Sequence, residues 1–129
     1  MPDNTPVLAE LRRLRERLPY IAGIVVASTD GLLVAHEAPG IEPETVAAMS
    51  AALLGLSQQL AAGTGSGDFR ETVTSASHGY VATFVAGESA LLTVLAKPEL
   101  NVGLLHHEAR PAAARIGALL AEPSGARRP

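Results

Sequence analysis

The chain has 129 residues, of which 47% are hydrophobic and 3% aromatic, and its formal net charge is -3 at pH 7. This length and composition fit one globular domain rather than a disordered chain. Slight acidity and few aromatic rings argue against a nucleic-acid partner, which usually binds a basic face with stacking side chains. The sequence contains no cysteine, which excludes disulfides and thiolate chemistry.

The N-terminal part predicts a helix followed by a β-hairpin. Residues 1–4 are expected to form a flexible tail, and Thr5-Pro6 to open a helix with Thr5 as its N-cap. Two strands follow, one at about 21–28 and one ending near 37, joined at Asp30-Gly31, where both residues tolerate positive φ. Neither strand alternates apolar and polar residues, so both faces of the sheet must be covered. The apolar stripe of the helix is Val7, Leu11, Leu14 and Leu18.

A second helix is predicted from Pro43 to about Ala62, and it carries no charge from Val46 onward. Its large residues form one stripe that is expected to pack on the sheet: Val46, Met49, Leu53, Leu56 and Leu60. Its small residues form a second stripe: Ala48, Ala51, Ala52, Gly55 and Gln59. A helix that is apolar all round is normally buried. We therefore expect the small stripe to contact the same stripe of a second copy of the chain across a two-fold axis. The alternative is an Ala-rich helix whose outer side is exposed to solvent.

Three further strands are predicted at 69–76, 79–86 and 89–96. The links between them are too short for parallel crossovers, so neighbours must be antiparallel. Arg70, Thr72 and Thr74 share one face of the first of these strands, which could be a free sheet edge or an ordinary polar edge guarded by its charges. One helix can then cover one face of the five-stranded sheet, and the two terminal helices the other.

A final helix is predicted from about Asn101, within a domain at residues 5–121 that is followed by a flexible tail at 122–129. Pro111 should kink or restart this helix, because a proline in a helix interior costs about 3 kcal/mol. Its apolar stripe is Leu105, Ala109, Ala112, Ile116 and Leu119.

Few residues suggest catalysis or a bound cofactor. The glycine-rich segment 63–67 leaves a helix rather than entering one, so we interpret Gly63 as a helix C-cap and not as part of a phosphate site. The adjacent His106 and His107 point about 100° apart on a helix, which favours solvated side chains over a metal site. No serine has a recognisable nucleophile context. The sequence thus predicts no catalytic residue, no metal and no cofactor, and a cytoplasmic protein without an integral membrane segment.

Four segments together resemble the roadblock (dynein light-chain) family, in its bacterial type related to a gliding-motility polarity regulator. They are LPYIAGIVVASTDGLLVA, AMSAALLGLSQQLAA, RETVTSASHGYVATFVAGESALLTVLA and LNVGLLHHEAR, within about Leu8 to Leu120. The resemblance implies an α+β sandwich of roadblock or profilin-like type, in the order α-β-β-α-β-β-β-α. Pro111 is where the sequence departs from the family's pattern, because a proline at this position is not expected in a straight last helix.

The resemblance also implies a homodimer that pairs the second helix and the third strand across a two-fold axis. The implied interface residues are Ala48, Ala51, Ala52, Gly55, Gln59, Arg70, Thr72 and Thr74. It further implies a small Ras-like GTPase as partner, either activated or scaffolded, and a sensor-kinase-like protein as a possible further partner. The alternative is a domain that senses a small ligand or serves as a purely structural adaptor.

Overall fold

The computed structural model describes residues 4–121, and its elements follow the predicted order α-β-β-α-β-β-β-α. They are α1 (Thr5–Arg17), β1 (Ile21–Ser28), β2 (Leu33–Glu37), α2 (Pro43–Gly63), β3 (Glu71–Ala76), β4 (Gly79–Ala86), β5 (Ala90–Ala96) and α3 (Val102–Ala121). Of the tails predicted at 1–4 and 122–129, residues 1–3 and 122–129 lie outside the described residues.

The five strands form one antiparallel sheet in the order β2-β1-β5-β4-β3. β5 lies in the centre, with Thr93 opposite Val25 of β1 on one side and opposite Thr83 of β4 on the other. Thr72 of β3 continues this row, because it lies opposite Thr83. The two sheet edges are therefore β2 and β3.

Helices cover both faces of the sheet, as the two-sided hydrophobic strands predict. α1 and α3 pack against each other, and the larger core lies between them and the sheet. α2 packs on the opposite face over β1, β2 and β5, where a smaller core includes Val25, Ala27 and Ala47. All four residues of the predicted α1 stripe are buried: Val7, Leu11, Leu14 and Leu18.

The side of α2 that contacts the sheet differs from the prediction. Ala47 and Ser50 are its buried residues, whereas Met49, Leu56 and Leu60 are 60%, 68% and 70% exposed. The expectation that the large stripe packs on the sheet is therefore wrong for Met49, Leu56 and Leu60, whereas Val46 does pack against the smaller core. The physical reason is that the Ser50 hydroxyl finds a partner in the sheet at Thr93, which fixes this side of the helix inward.

Two helix ends also differ from the sequence-based expectations. α1 begins at Thr5, so Asn4 occupies the N-cap position, and its amide donates to the Val34 carbonyl oxygen at 2.8 Å. α2 ends at Gly63, and the residue that takes positive φ is Gly65, at 70°. The Ser66 and Gly65 amides donate to the carbonyls of residues 61 and 62, the hydrogen-bond pattern of a Schellman motif. The C-cap assigned to Gly63 is thus wrong.

α3 runs without a break through Pro111, so the expected restart does not occur. Leu119 is 38% exposed, and the buried side includes Ala113 and Gly117 in addition to the other predicted positions. The reason is a close approach at the β4–β5 turn. A Cβ added to Gly117 would lie 2.5 Å from the Gly87 amide nitrogen, so the helix backbone itself contacts the turn there.

Candidate functional site

The outward surface of α2 is the most apolar exposed feature of the described residues. Seven large hydrophobic side chains are exposed between residues 4 and 121, and three of them are Met49, Leu56 and Leu60 of this one helix. No charged side chain interrupts it from Val46 to Ala62. Concentrated exposed apolar residues of this kind indicate an interaction surface.

The small residues of α2 extend this apolar surface. Ala48, Ala52, Gly55 and Gln59 are exposed, and Ala51 is half-buried. The cover over Ala51 comes from the β1–β2 turn, because a Cβ added to Gly31 would lie 3.6 Å from the Ala51 Cβ. We call the exposed large and small residues of this helix together the α2 outer surface.

A buried chain of hydroxyl groups fixes how α2 sits on the sheet. The Ser50 and Thr93 hydroxyls are 2.7 Å apart, and the Thr93 and Thr83 hydroxyls are 3.0 Å apart. All three residues are almost completely buried. Hydroxyl groups that are removed from water need such partners, so this chain favours one rotation of α2 about its own axis.

The edge strand β3 presents Thr72 and Thr74 to the same side of the sheet as α2. Thr72 is in register with Thr83, whose hydroxyl belongs to the chain that reaches α2. Thr74 and Arg70 are exposed, and Thr72 is half-buried. Arg70 precedes the strand rather than lying within it, although its carbonyl accepts from the Val85 amide at 2.9 Å. The structure thus brings Thr72 and Thr74 onto the face that α2 covers, whereas Arg70 lines the cleft that Glu71 and Arg110 also line.

An ion pair that the sequence analysis missed ties α3 to the start of β3. Arg110 donates twice to Glu71, from Nε at 2.9 Å and from Nη2 at 2.7 Å. The hydrogen bond from Arg110 holds the pKa of the Glu71 carboxyl below its ordinary value of 4.5. The same bond raises the pKa of the Arg110 guanidinium. The two residues are 39 positions apart, so no local sequence pattern could have identified the pair.

His106 is a second departure from the sequence analysis. Its ring contacts Phe84 edge-on, with centroids 5.9 Å apart, and its Nε2 lies 3.4 Å from Glu71 Oε2. The side chain is only partly exposed, so the prediction of a solvated residue is wrong for His106. His107 is exposed, as predicted.

The other polar residues considered for chemistry serve local structure. Ser28 donates to Asp30 within the β1–β2 turn. An open cleft of about 1010 Å³ lies between residues 66–71 and α3, but its charged groups include Glu71 and Arg110, which already pair with each other. Residues 4–121 contain no cluster of His, Asp and Glu that could hold a metal ion.

α2 is long and apolar enough to span a bilayer by length and composition alone. The strands before and after it, β2 and β3, belong to one sheet, and its Ser50 bonds to the centre of that sheet. Both ends of α2 are therefore held on the same domain, and the helix lies along the sheet.

The prominent exposed features of this helix-covered sheet are an apolar helix surface and a strand edge, which are typical of a domain that binds other proteins. The chain belongs to the Roadblock/LC7 domain family, whose sequence pattern it matches over residues 7–96. Thus α1, α2 and the whole sheet lie in the matched part except for the first residues of α1, and α3 follows it.

Solved structures share this fold. The Roadblock/LC7 domain from Streptomyces avermitilis is 25% identical, with a TM-score of 0.78 over 85% of this chain and 93% of that one. The gliding protein MglB from Thermus thermophilus is 21% identical, with a TM-score of 0.83 over 91% and 90%. MglB from Myxococcus xanthus is 15% identical, with a TM-score of 0.86 over 95% and 100%. No curated protein matches the sequence at a significant level.

Proposed function

We propose that this protein is a dimeric, non-enzymatic regulator or scaffold of a small Ras-like GTPase in a bacterial signalling system of the cytoplasm. The observation that carries the proposal is the α2 outer surface, a long uncharged helix face on a domain of the Roadblock/LC7 family. Apolar area of this extent is stabilised by burial against another protein surface, at about 25 cal/mol per Å² removed from water.

The dimer uses α2 and the β3 edge together, because both lie on the same side of the sheet. The proposed contact comprises Ala48, Ala51, Ala52, Gly55, Gln59, Arg70, Thr72 and Thr74, to which the exposed Met49, Leu56 and Leu60 are now added. A two-fold axis beside β3 would place each of these surfaces against its copy in the partner. The face covered by α1 and α3 stays free in such a dimer.

The dimer is tested by the mass in solution of Leu56→Glu, measured by light scattering. The parent is expected at twice its chain mass of 13.3 kDa, and the variant at the mass of one chain, because an unpaired carboxylate in an apolar contact costs several kcal/mol. Leu104→Glu is the matched control, since Leu104 is also exposed but belongs to α3 on the other face. A Leu56→Glu protein that remains dimeric would exclude this surface as the contact.

The GTPase partner is tested by affinity capture from host lysate with GDP and, in parallel, with a non-hydrolysable GTP analogue. If the protein is a regulator, a small GTPase should be enriched in the sample with the GTP analogue. If it is a scaffold, the GTPase should be captured equally with both nucleotides. Capture of no small GTPase in either arm would contradict the partner while leaving the fold and the dimer untouched.

A captured GTPase then allows a hydrolysis assay with and without this protein. Acceleration by an arginine supplied in trans would amount to a factor of about 10³–10⁵. We expect instead that the protein reorients the GTPase's own residues, because the arginines of α1 lie on a regular helix and Arg70 lies beside the sheet edge. Arg→Ala variants at positions 12, 13, 15, 17 and 70 should therefore keep any stimulation. A variant that binds but no longer stimulates would identify a finger arginine.

A further inference from the structure

Positive charge is concentrated in α1 and α3. α1 and α3 together carry six arginines and three glutamates, a net charge of +3. The remaining described residues carry two basic and eight acidic side chains, a net charge of -6. A chain that is acidic as a whole thus carries an excess of positive charge in the two helices opposite the α2 outer surface, although Glu37 and Glu71 also contact these helices.

Three of these six arginines line a groove between α1 and α3. Its volume is about 240 Å³, and its lining residues are Arg13, Arg17, His107, Glu108, Pro111 and Arg115. Three arginines and a histidine face one glutamate in this α1–α3 groove. Arg13 and Arg17 stand about one helical turn apart, so they project from the same side of α1.

Two of these arginines are held only loosely by the protein's own carboxylates. Arg115 makes a close pair with Glu10 at 2.8 Å, and this pair joins α3 to α1. Arg13 lies 3.7 Å from Glu10, and Arg17 lies 3.7 Å from Glu108. Their side chains are 53% and 61% exposed. Exposed ion pairs at such distances contribute little, so both guanidinium groups can turn to a better-placed acceptor.

We propose that the α1–α3 groove binds an acidic polypeptide segment of another protein through carboxylates that pair with Arg13 and Arg17. A guanidinium binds a carboxylate through two parallel hydrogen bonds, which favours arginine at such a site. A peptide seated in the groove meets mainly the local positive charge, because charges beyond about 8–10 Å are screened at physiological salt. A broad anionic membrane would also approach acidic side chains outside the two helices, where the described residues carry a net charge of -6. The proposal rests on the side chains of the groove and not on the GTPase.

The test measures binding of fluorescein-labelled decaglutamate by fluorescence anisotropy, with labelled decalysine as the negative probe. Arg13→Glu/Arg17→Glu is compared with Arg12→Glu/Lys97→Glu, which changes the net charge equally at two exposed residues outside the groove. We expect the parent and the control pair to bind decaglutamate within about threefold of each other. The groove pair should lose about tenfold or more in affinity. Affinity of the parent should fall as salt is raised from about 0.05 to 0.3 M.

Circular dichroism establishes that each variant is folded, and Arg13→Gln/Arg17→Gln replaces the groove pair if the charge reversal prevents folding. Equal affinity of the groove variant and the parent would overturn the proposal, as would equal losses in both charge-reversed pairs. Binding to phosphatidylglycerol vesicles that depends on Arg13 and Arg17, without binding of decaglutamate, would show that the partner of the groove is a membrane and not a polypeptide.

Discussion

Thr93 occupies the middle of the hydroxyl chain that joins α2 to the sheet, and its contribution can be measured. Thr93→Val keeps the shape of the side chain but leaves the buried Ser50 and Thr83 hydroxyls without this partner. We expect the free energy of unfolding in urea to fall by about 1–3 kcal/mol at a fixed protein concentration.

The triple variant Ser50→Ala/Thr83→Val/Thr93→Val is the control for this prediction. It removes every hydroxyl of the chain, so no buried polar group is left without its partner, and it should recover most of the lost stability. Unchanged stability of Thr93→Val alone would show that the chain contributes nothing.

The Glu71–Arg110 ion pair should make stability depend on pH in a defined direction. The folded-state pKa of Glu71 lies below 4.5. The stability that the ion pair contributes is therefore fully present above the pKa that Glu71 has in the unfolded chain. It is lost as the pH falls through the folded-state pKa. Arg110→Ala should therefore lower the thermal unfolding midpoint slightly at pH 7, and this difference should disappear well below pH 4.5.

Arg12→Ala serves as the comparison for Arg110→Ala, since Arg12 only approaches Glu37 at 4.0 Å. Its midpoint should match that of the parent at every pH. A difference between Arg110→Ala and the parent that persists unchanged at acidic pH would mean that Arg110 stabilises the fold by packing rather than by charge.

At the scale of whole elements, α3 is positioned by a backbone contact with the β4–β5 turn. Glycine to alanine in an ordinary helix position stabilises the helix by up to about 1 kcal/mol. At Gly117 the added methyl would lie 2.5 Å from the Gly87 nitrogen and 2.7 Å from the Ala86 carbonyl carbon. Gly117→Ala should instead destabilise the protein by about 1–3 kcal/mol, because the helix must move away from the turn.

Gly63→Ala is the matched control in urea unfolding. An added methyl at this helical glycine meets nothing within 4 Å, so the variant should be at least as stable as the parent. Equal free energies of unfolding for Gly117→Ala and Gly63→Ala would show that the β4–β5 turn can move without loss of stability.

Sequence patterns predicted the elements that have one clear polar side. α1 alternates its apolar stripe with arginines, and all four residues of that stripe are buried. α2 lacks a charged side, so periodicity could not decide which side faces the sheet, and the decisive contact between Ser50 and Thr93 joins residues 43 positions apart. Pro111 lies on an exposed side of α3, where the helix continues past it. Strand alternation predicted that Thr72 and Thr74 share one face, but which face this is, like the Glu71–Arg110 pair, depends on tertiary contacts.

At the scale of the whole molecule, the sheet has a β3 edge whose role can be tested directly. The hydrogen bond from the Val85 amide to Arg70, with the observed register, makes residues 72 and 74 the hydrogen-bonded partners of β4. The Ser75 amide therefore points away from the sheet. Ser75→Pro removes this outward-pointing donor but breaks no hydrogen bond between β3 and β4. The monomer should therefore fold, whereas pairing of β3 with the β3 strand of a second copy should be weakened.

Ser75→Pro should shift the protein toward the mass of one chain in light scattering at low micromolar concentration. Ser75→Ala retains the amide and should remain as dimeric as the parent. A Ser75→Pro protein that is folded and fully dimeric would mean that the dimer forms through the α2 outer surface alone.

The separation of the α2 outer surface and the α1–α3 groove on opposite faces of the sheet has a consequence for assembly. The molecule bound at the α2 outer surface and the molecule bound in the groove are separated by the thickness of the domain. The two bound molecules therefore need no affinity for each other. In the proposed two-fold dimer the groove occurs twice, and a partner with two acidic segments could engage both copies. The second segment would then bind at the effective concentration set by its linker, and avidity could exceed the affinity of one groove by a factor of about 10²–10⁴.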